Sequence, residues 1–121
     1  MSSINFSVIC CYYNEINILK KKFDRFEKFS SELNFDHEFI FVDNNSTDGS
    51  KEFLKKEEQK RNKNFVFIFN EKNLGKGGSI KNALSLTDKK YAIIFDIDEY
   101  ELIDLKKVYD IIKKEDHDFL V

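Results

Sequence analysis

Apolar residues fall along the chain in two alternating patterns. Residues 6–11, 39–42, 65–69 and 91–95 are short runs, apolar at nearly every position. Between them the apolar residues recur at steps of three and four. Ile16, Leu19, Phe23 and Phe26 form one such stripe. Phe53 and Leu54 belong to a second, Ile80, Ala83, Leu84 and Thr87 to a third, and Leu102, Leu105, Val108 and Ile112 to a fourth. Dense runs of this length predict strands buried on both faces, and the stepped stretches predict helices with one apolar side. Phe119-Leu120-Val121 opens a fifth strand. Strands alternating with helices across short polar links predict βαβ units. The expected fold class is α/β, a three-layer sandwich around a mainly parallel sheet. Residues 73–78, with three glycines, read as a loop, and Ser79 as the start of the third helix. The charged run 55–63 reads as a solvated helix face.

Composition narrows the class without changing that picture. The chain has 121 residues, the size of one domain. With 41% hydrophobic and 35% charged residues it is too apolar for disorder and too charged for a membrane span. A net charge of −2 gives no general attraction to nucleic acid or anionic lipid. The amino-terminal segment lacks the basic and apolar parts of a signal peptide, so the expected compartment is a reducing cytoplasm. Cys10 and Cys11 are neighbours on a predicted strand and point to opposite faces, which makes a disulfide between them unworkable. Both are expected to act as small buried hydrophobes. His37 and His117 have no ligand-type neighbours at useful spacing and read as structural.

Four polar clusters follow the four apolar runs: residues 13–15, 43–49, 73–78 and 96–99. In a parallel sheet all four lie on the carboxyl edge, where open α/β sheets bind ligands. Asp96-Ile97-Asp98 places two carboxylates at a strand end, a donor set for a hard divalent cation, though it also suits an exposed acidic turn. Gly75-Lys76-Gly77-Gly78 offers a cation and a backbone that can approach an anion closely before a helix N-terminus. Its spacing fits neither a P-loop nor a dinucleotide-binding fingerprint. Asp43-Asn44-Asn45 can read hydrogen-bond donors on a base or ribose, while Ser46, Thr47 and Asp48 are good helix caps. Tyr13 can stack on a base or fill the core.

In this order the four clusters resemble the amino-terminal half of a family 2 glycosyltransferase of the GT-A fold. The resemblance rests on residues 7–15, 41–50, 73–78 and 94–99 taken together. It implies transfer of a sugar from a nucleotide diphosphosugar, UDP-linked by default, to a sugar, lipid or protein acceptor. It implies a nucleotide site of Tyr13, Asp43, Asn44, Lys76 and Asp96. Asp98, with Asp96, matches the Asp-x-Asp motif and would bind Mg²⁺ or Mn²⁺ on the diphosphate. Glu15 is expected to start the first helix.

The chain departs from the family in having Cys11 where proline is frequent and Asn44-Asn45 where Asp-Gly is frequent. It is also short for the family. The whole chain, 1–121, is expected to be one nucleotide-sugar-binding domain without the acceptor half or its general base. An open edge at Phe119–Val121 offers a route to a homodimer. The alternative reading is a non-catalytic, truncated or degenerate nucleotide-binding or assembly module.

Overall fold

The computed structural model describes residues 5–33, 36–60, 64–87 and 89–97, and residues 107 and 110. Asp98, the fourth helical stripe, His117 and the strand expected at 119–121 lie outside the described residues.

Among the described residues four strands and three helices alternate: β1 (Asn5–Tyr12), α1 (Ile16–Ser31), β2 (Asp36–Asp43), α2 (Ser50–Lys60), β3 (Phe65–Phe69), α3 (Gly75–Leu86) and β4 (Tyr91–Phe95). All pairings are parallel, in the order β3-β2-β1-β4. The sheet therefore grows outward from β1 through β2 to β3, then returns to place β4 on the other side of β1. That reversal opens a crevice at the carboxyl ends of β1 and β4.

The α/β sandwich is as the sequence pattern predicts, and the reason is visible in the alternation of side chains. Phe6, Val8, Cys10 and Tyr12 of β1 point to one face, with Phe39 and Phe41 of β2 and Phe65 of β3. Leu19, Phe23 and Phe26 of α1 and Leu54 of α2 close over them. Ile9, Ile40 and Val42 point to the other face and meet Ala83 of α3, with Cys11, Val66, Ile68, Ala92 and Ile94 packed around them.

Three details of the helices differ from the sequence expectation. The third helix starts at Gly75, not Ser79. Its early N–H groups have no intrahelical partner in any case, so glycine costs less there than in a helix interior. Acceptors from outside the helix replace the missing partners: Asn44 Oδ1 takes the Leu74 N–H at 2.7 Å and Asn73 Oδ1 takes the Gly75 N–H at 2.8 Å. Leu84 faces solvent, and the buried residues of α3 are Ser79 and Ala83. The charged run of α2 is solvated as expected, except that Glu57 is buried beside Lys60, 3.6 Å away. His37 is structural as read: it is buried, with Nε2 2.6 Å from Ser30 Oγ, tying the end of α1 to the start of β2.

Candidate functional site

The first two carboxyl-edge loops are laced together by the residues that follow β2. Ser46 Oγ accepts the Asn14 N–H at 2.9 Å, and Ser50 Oγ accepts the Glu15 N–H at 3.2 Å. Asp48 Oδ2 accepts the Ile16 N–H at 3.1 Å. In return Asn14 Oδ1 accepts the Thr47 N–H at 2.7 Å. The first helix is thus capped from a loop over thirty positions away; Glu15 supplies its N-cap position but no side-chain cap. Asn14 and Asn45 both hold positive φ, 54° and 65°, a region asparagine tolerates better than most residues. Asp48 is pushed up by partial desolvation, but hydrogen bonds from Ser50 and Ile16 outweigh this and hold its carboxyl below the usual value.

The other pair of loops meets across the crevice. Lys76, in the first turn of α3, reaches Asp96 at the end of β4, with Nζ 2.8 Å from Oδ1. Both side chains stay substantially exposed, 61% and 44%. Beside them is a cavity of about 150 Å³ lined by Cys11, Tyr12, Tyr13, Asn44 and Lys76. Tyr13 is 46% exposed, so its ring is available to a ligand rather than committed to the core. Ordinary ligand pockets run to ~300–1,000 Å³. The cavity therefore matches one ring-sized part of a ligand rather than all of it. Broader hollows of about 440 and 670 Å³ lie at the amino end of the sheet around Asp24 and at the carboxyl end of β3 around Asn70. Neither is lined by Lys76 or Asp96.

The structure brings Tyr13, Asn44, Lys76 and Asp96 to one place, as the sequence pattern anticipated. Asp43 sits differently. It is fully buried, on the face shared with Tyr12 and Phe69, and its Oδ2 accepts the Ser46 N–H at 3.0 Å. Neither Asp43 Oδ1 nor the Tyr12 hydroxyl has a partner at hydrogen-bond distance among the described residues. They are nonetheless close enough that burial first, and the Asp43 charge second, raise the Tyr12 hydroxyl far above its ordinary value. Asn44 lines the cavity but its carbonyl oxygen is occupied within the chain.

Cys11 is a pocket residue that sequence reasoning took for core. The available signal was its place on β1, two residues before Tyr13 and on the α3 side. Its thiol is pushed up to about 11, by burial first; Lys76 opposes the shift and Asp96 adds to it. At neutral pH it is a neutral, unreactive wall of the pocket.

A divalent cation is the group the Asp-x-Asp pattern implies. Asp96 supplies hard carboxylate oxygen at an open strand end, the chemistry Mg²⁺ and Mn²⁺ prefer. No group of three or more His, Cys, Asp or Glu side chains gathers among the described residues. A hard divalent cation can be held by one or two carboxylates and completed by ligand oxygens.

Comparisons with known proteins bear on the family and the fold. The sequence profile of glycosyl transferase family 2 matches residues 7–121. An uncharacterised glycosyltransferase of Methanocaldococcus jannaschii is 34% identical over 96 residues, covering 79% of this chain and 32% of that protein. A dolichyl-phosphate β-glucosyltransferase of Dictyostelium discoideum is 31% identical, covering 94% of this chain and 37% of that protein. This chain therefore spans about a third of the length of these relatives. Among solved structures, a mannosyltransferase from Pyrobaculum calidifontis in complex with GDP-Man and Mn²⁺ superposes with a TM-score of 0.66 at 22% identity, covering 81% of this chain and 28% of that one. TarS of S. aureus superposes at 0.68 with 24% identity, over 92% of this chain and 33% of that one. These structures share the fold, a GT-A glycosyltransferase sheet with its helices.

Proposed function

This chain belongs to glycosyl transferase family 2, and from that membership we propose that it is the donor-binding part of a glycosyltransferase that takes a nucleotide diphosphosugar. The observation that carries the reading is the convergence at the β1–β4 crevice: an exposed aromatic ring, a ring-sized cavity, a lysine in a glycine-rich helix start, and a strand-end carboxylate. Tyr13 stacks on the base, since every base presents a π-face. Lys76, in the first turn of α3, faces the diphosphate, at a helix N-terminus that favours anions. Asp96 faces the ribose or the cation. Asp43 and Asn44 support the site from beneath: Asp43 fixes the loop after β2 through the Ser46 N–H, and Asn44 fixes the start of α3.

The donor is UDP-linked in this proposal. The Pyrobaculum neighbour, solved with GDP-Man and Mn²⁺, supports a nucleotide-sugar donor and a divalent cation while making GDP the competitor to test. Asp96 and Asp98 would hold Mg²⁺ or Mn²⁺, which when bound neutralises the charge gathering on the departing nucleotide diphosphate. The Lys76–Asp96 pair keeps a cation beside that carboxylate and so limits its repulsion of the incoming diphosphate.

Calorimetric titration of UDP and GDP, with and without Mn²⁺, tests the reading on the wild-type chain and on Asp96→Asn. The expected result is Mn²⁺-dependent binding of UDP, tighter than GDP and lost in the variant. A folded wild-type chain that binds neither nucleotide would favour the non-catalytic module instead.

A further inference from the structure

Asn44 stands at the end of β2, yet its side chain reaches the junction between β3 and α3. Its Oδ1 accepts the Leu74 N–H at 2.7 Å and the Asn70 amide at 3.2 Å, and its Nδ2 donates to Asn73 Oδ1 at 2.9 Å. The orientation of each amide is dictated. The Leu74 N–H is a backbone donor and can only meet an oxygen, which fixes Asn44 Oδ1. The Gly75 N–H likewise fixes Asn73 Oδ1. Nδ2 of Asn44 is then the only polar group of its side chain that can face Asn73. Further back, Asn70 donates to the buried Ser79 Oγ at 2.9 Å and accepts from Asn82 at 3.1 Å.

Apolar packing does little to hold the same turn. Leu74, Gly75, Lys76 and Gly77 are all exposed, and a Cβ on Gly75 or Gly77 would meet nothing within 4 Å. The turn that carries Lys76 is therefore set by directional hydrogen bonds. We infer that Asn44 is a positioning residue: it places the first turn of α3, and with it Lys76, through Leu74 and Asn73, rather than by contacting the nucleotide. An amide is required, because a carboxylate would accept the Leu74 N–H but face Asn73 Oδ1 with a second acceptor. The inference rests on the donor-site reading for its effect on binding, but its structural part stands alone.

The test compares wild type, Asn44→Ala, Asn44→Asp, Asn73→Ala and the Asn44→Ala/Asn73→Ala double variant. UDP and GDP affinity is measured with Mn²⁺ by calorimetry, and exchange of the Leu74 and Gly75 amides is followed by NMR. Asn73 does not line the cavity. The expected result is a roughly tenfold weaker affinity in either alanine variant, the effect of about one lost hydrogen bond, with no further loss in the double variant. Gly75 should lose exchange protection in Asn44→Ala although Asn44 does not touch it. Asn44→Asp should retain protection at Leu74 and lose it at Gly75. The inference is overturned if Asn44→Ala weakens binding while Asn73→Ala leaves it intact, which would make Asn44 a ligand contact. It is overturned equally if both amides keep wild-type protection in Asn44→Ala. A wild-type chain that binds neither nucleotide removes the donor-site reading, and the exchange rates then decide the positioning claim by themselves.

Discussion

On the face covered by α1 and α2 the sheet presents phenylalanine after phenylalanine; on the face covered by α3 it presents Ile9, Ile40 and Val42 against Ala83. The aromatic face is a ladder. Phe39 stacks on Phe65 at 5.4 Å between centroids, and Phe41 stacks on Phe67 at 5.9 Å, while Phe23 and Phe26 of α1 press onto Phe41 at 5.0 and 5.3 Å. Such rings bury large areas and gain from their mutual geometry. The α3 face is thinner, its helix held at the amino end by the asparagine network and carrying Leu84 and Leu86 in solvent. The cavity opens on this side, beside Cys11 and Lys76. The difference separates two tasks. Among the described residues one face carries most of the packing, and the other keeps a polar, directional arrangement at its carboxyl edge.

Neighbouring residues on β2 allow the comparison to be broken directly. Phe41→Ala removes a fully buried ring from the aromatic ladder and should destabilise the chain by about 3–5 kcal/mol, read by denaturant or thermal unfolding. Ile40→Val, one residue away on the α3 face, should cost only about 0.5–1.5 kcal/mol. A loss at Ile40 as large as that at Phe41, from one methyl group alone, would make the α3 face the more tightly packed of the two. Tyr13→Ala falls between them in size but acts elsewhere. It should weaken nucleotide binding by about 1–3 kcal/mol, the range for a lost base stack, and leave the melting temperature nearly unchanged because the ring is half exposed.

The smallest expected effect concerns pH. The Asp48 carboxyl titrates below its ordinary 3.8 in the folded chain, because bonds from Ser50 and Ile16 overcome its desolvation. Its contribution is therefore fully present above the unfolded-chain value and is lost as pH falls through the folded one. Acid unfolding of Asp48→Asn should show a shallower pH dependence below about 4 than wild type. A parallel curve would show that this loop contact contributes nothing to acid stability.

Most of the fold was legible because strands buried on both faces leave dense apolar runs, and α1 leaves a clean stripe at Leu19, Phe23 and Phe26. The start of α3 was not, because its outside acceptors include Asn44, thirty positions away from Leu74, and no local pattern reports them. The inner face of α3 was misjudged at Leu84, where the helix buries Ser79 and Ala83 and leaves Leu84 in solvent. The convergence of Tyr13, Lys76 and Asp96 at the carboxyl edge was legible in the spacing after each strand, since a parallel sheet must bring those ends together. It could not tell which way Asp43 turns. Its register with Tyr12 and Phe69 puts it on the aromatic side, and register is a property of pairing that one strand alone does not reveal.

The most direct test of the division between faces is NMR titration of the chain with UDP and Mn²⁺, following backbone amides and phenylalanine ring signals together. The account predicts shifts at Tyr13, Asn73 through Gly78 and Asp96, with the rings of Phe39, Phe41 and Phe65 unmoved. Shifts centred on the amino edge around Asp24, or spread through the phenylalanine ladder with Lys76 silent, would contradict it.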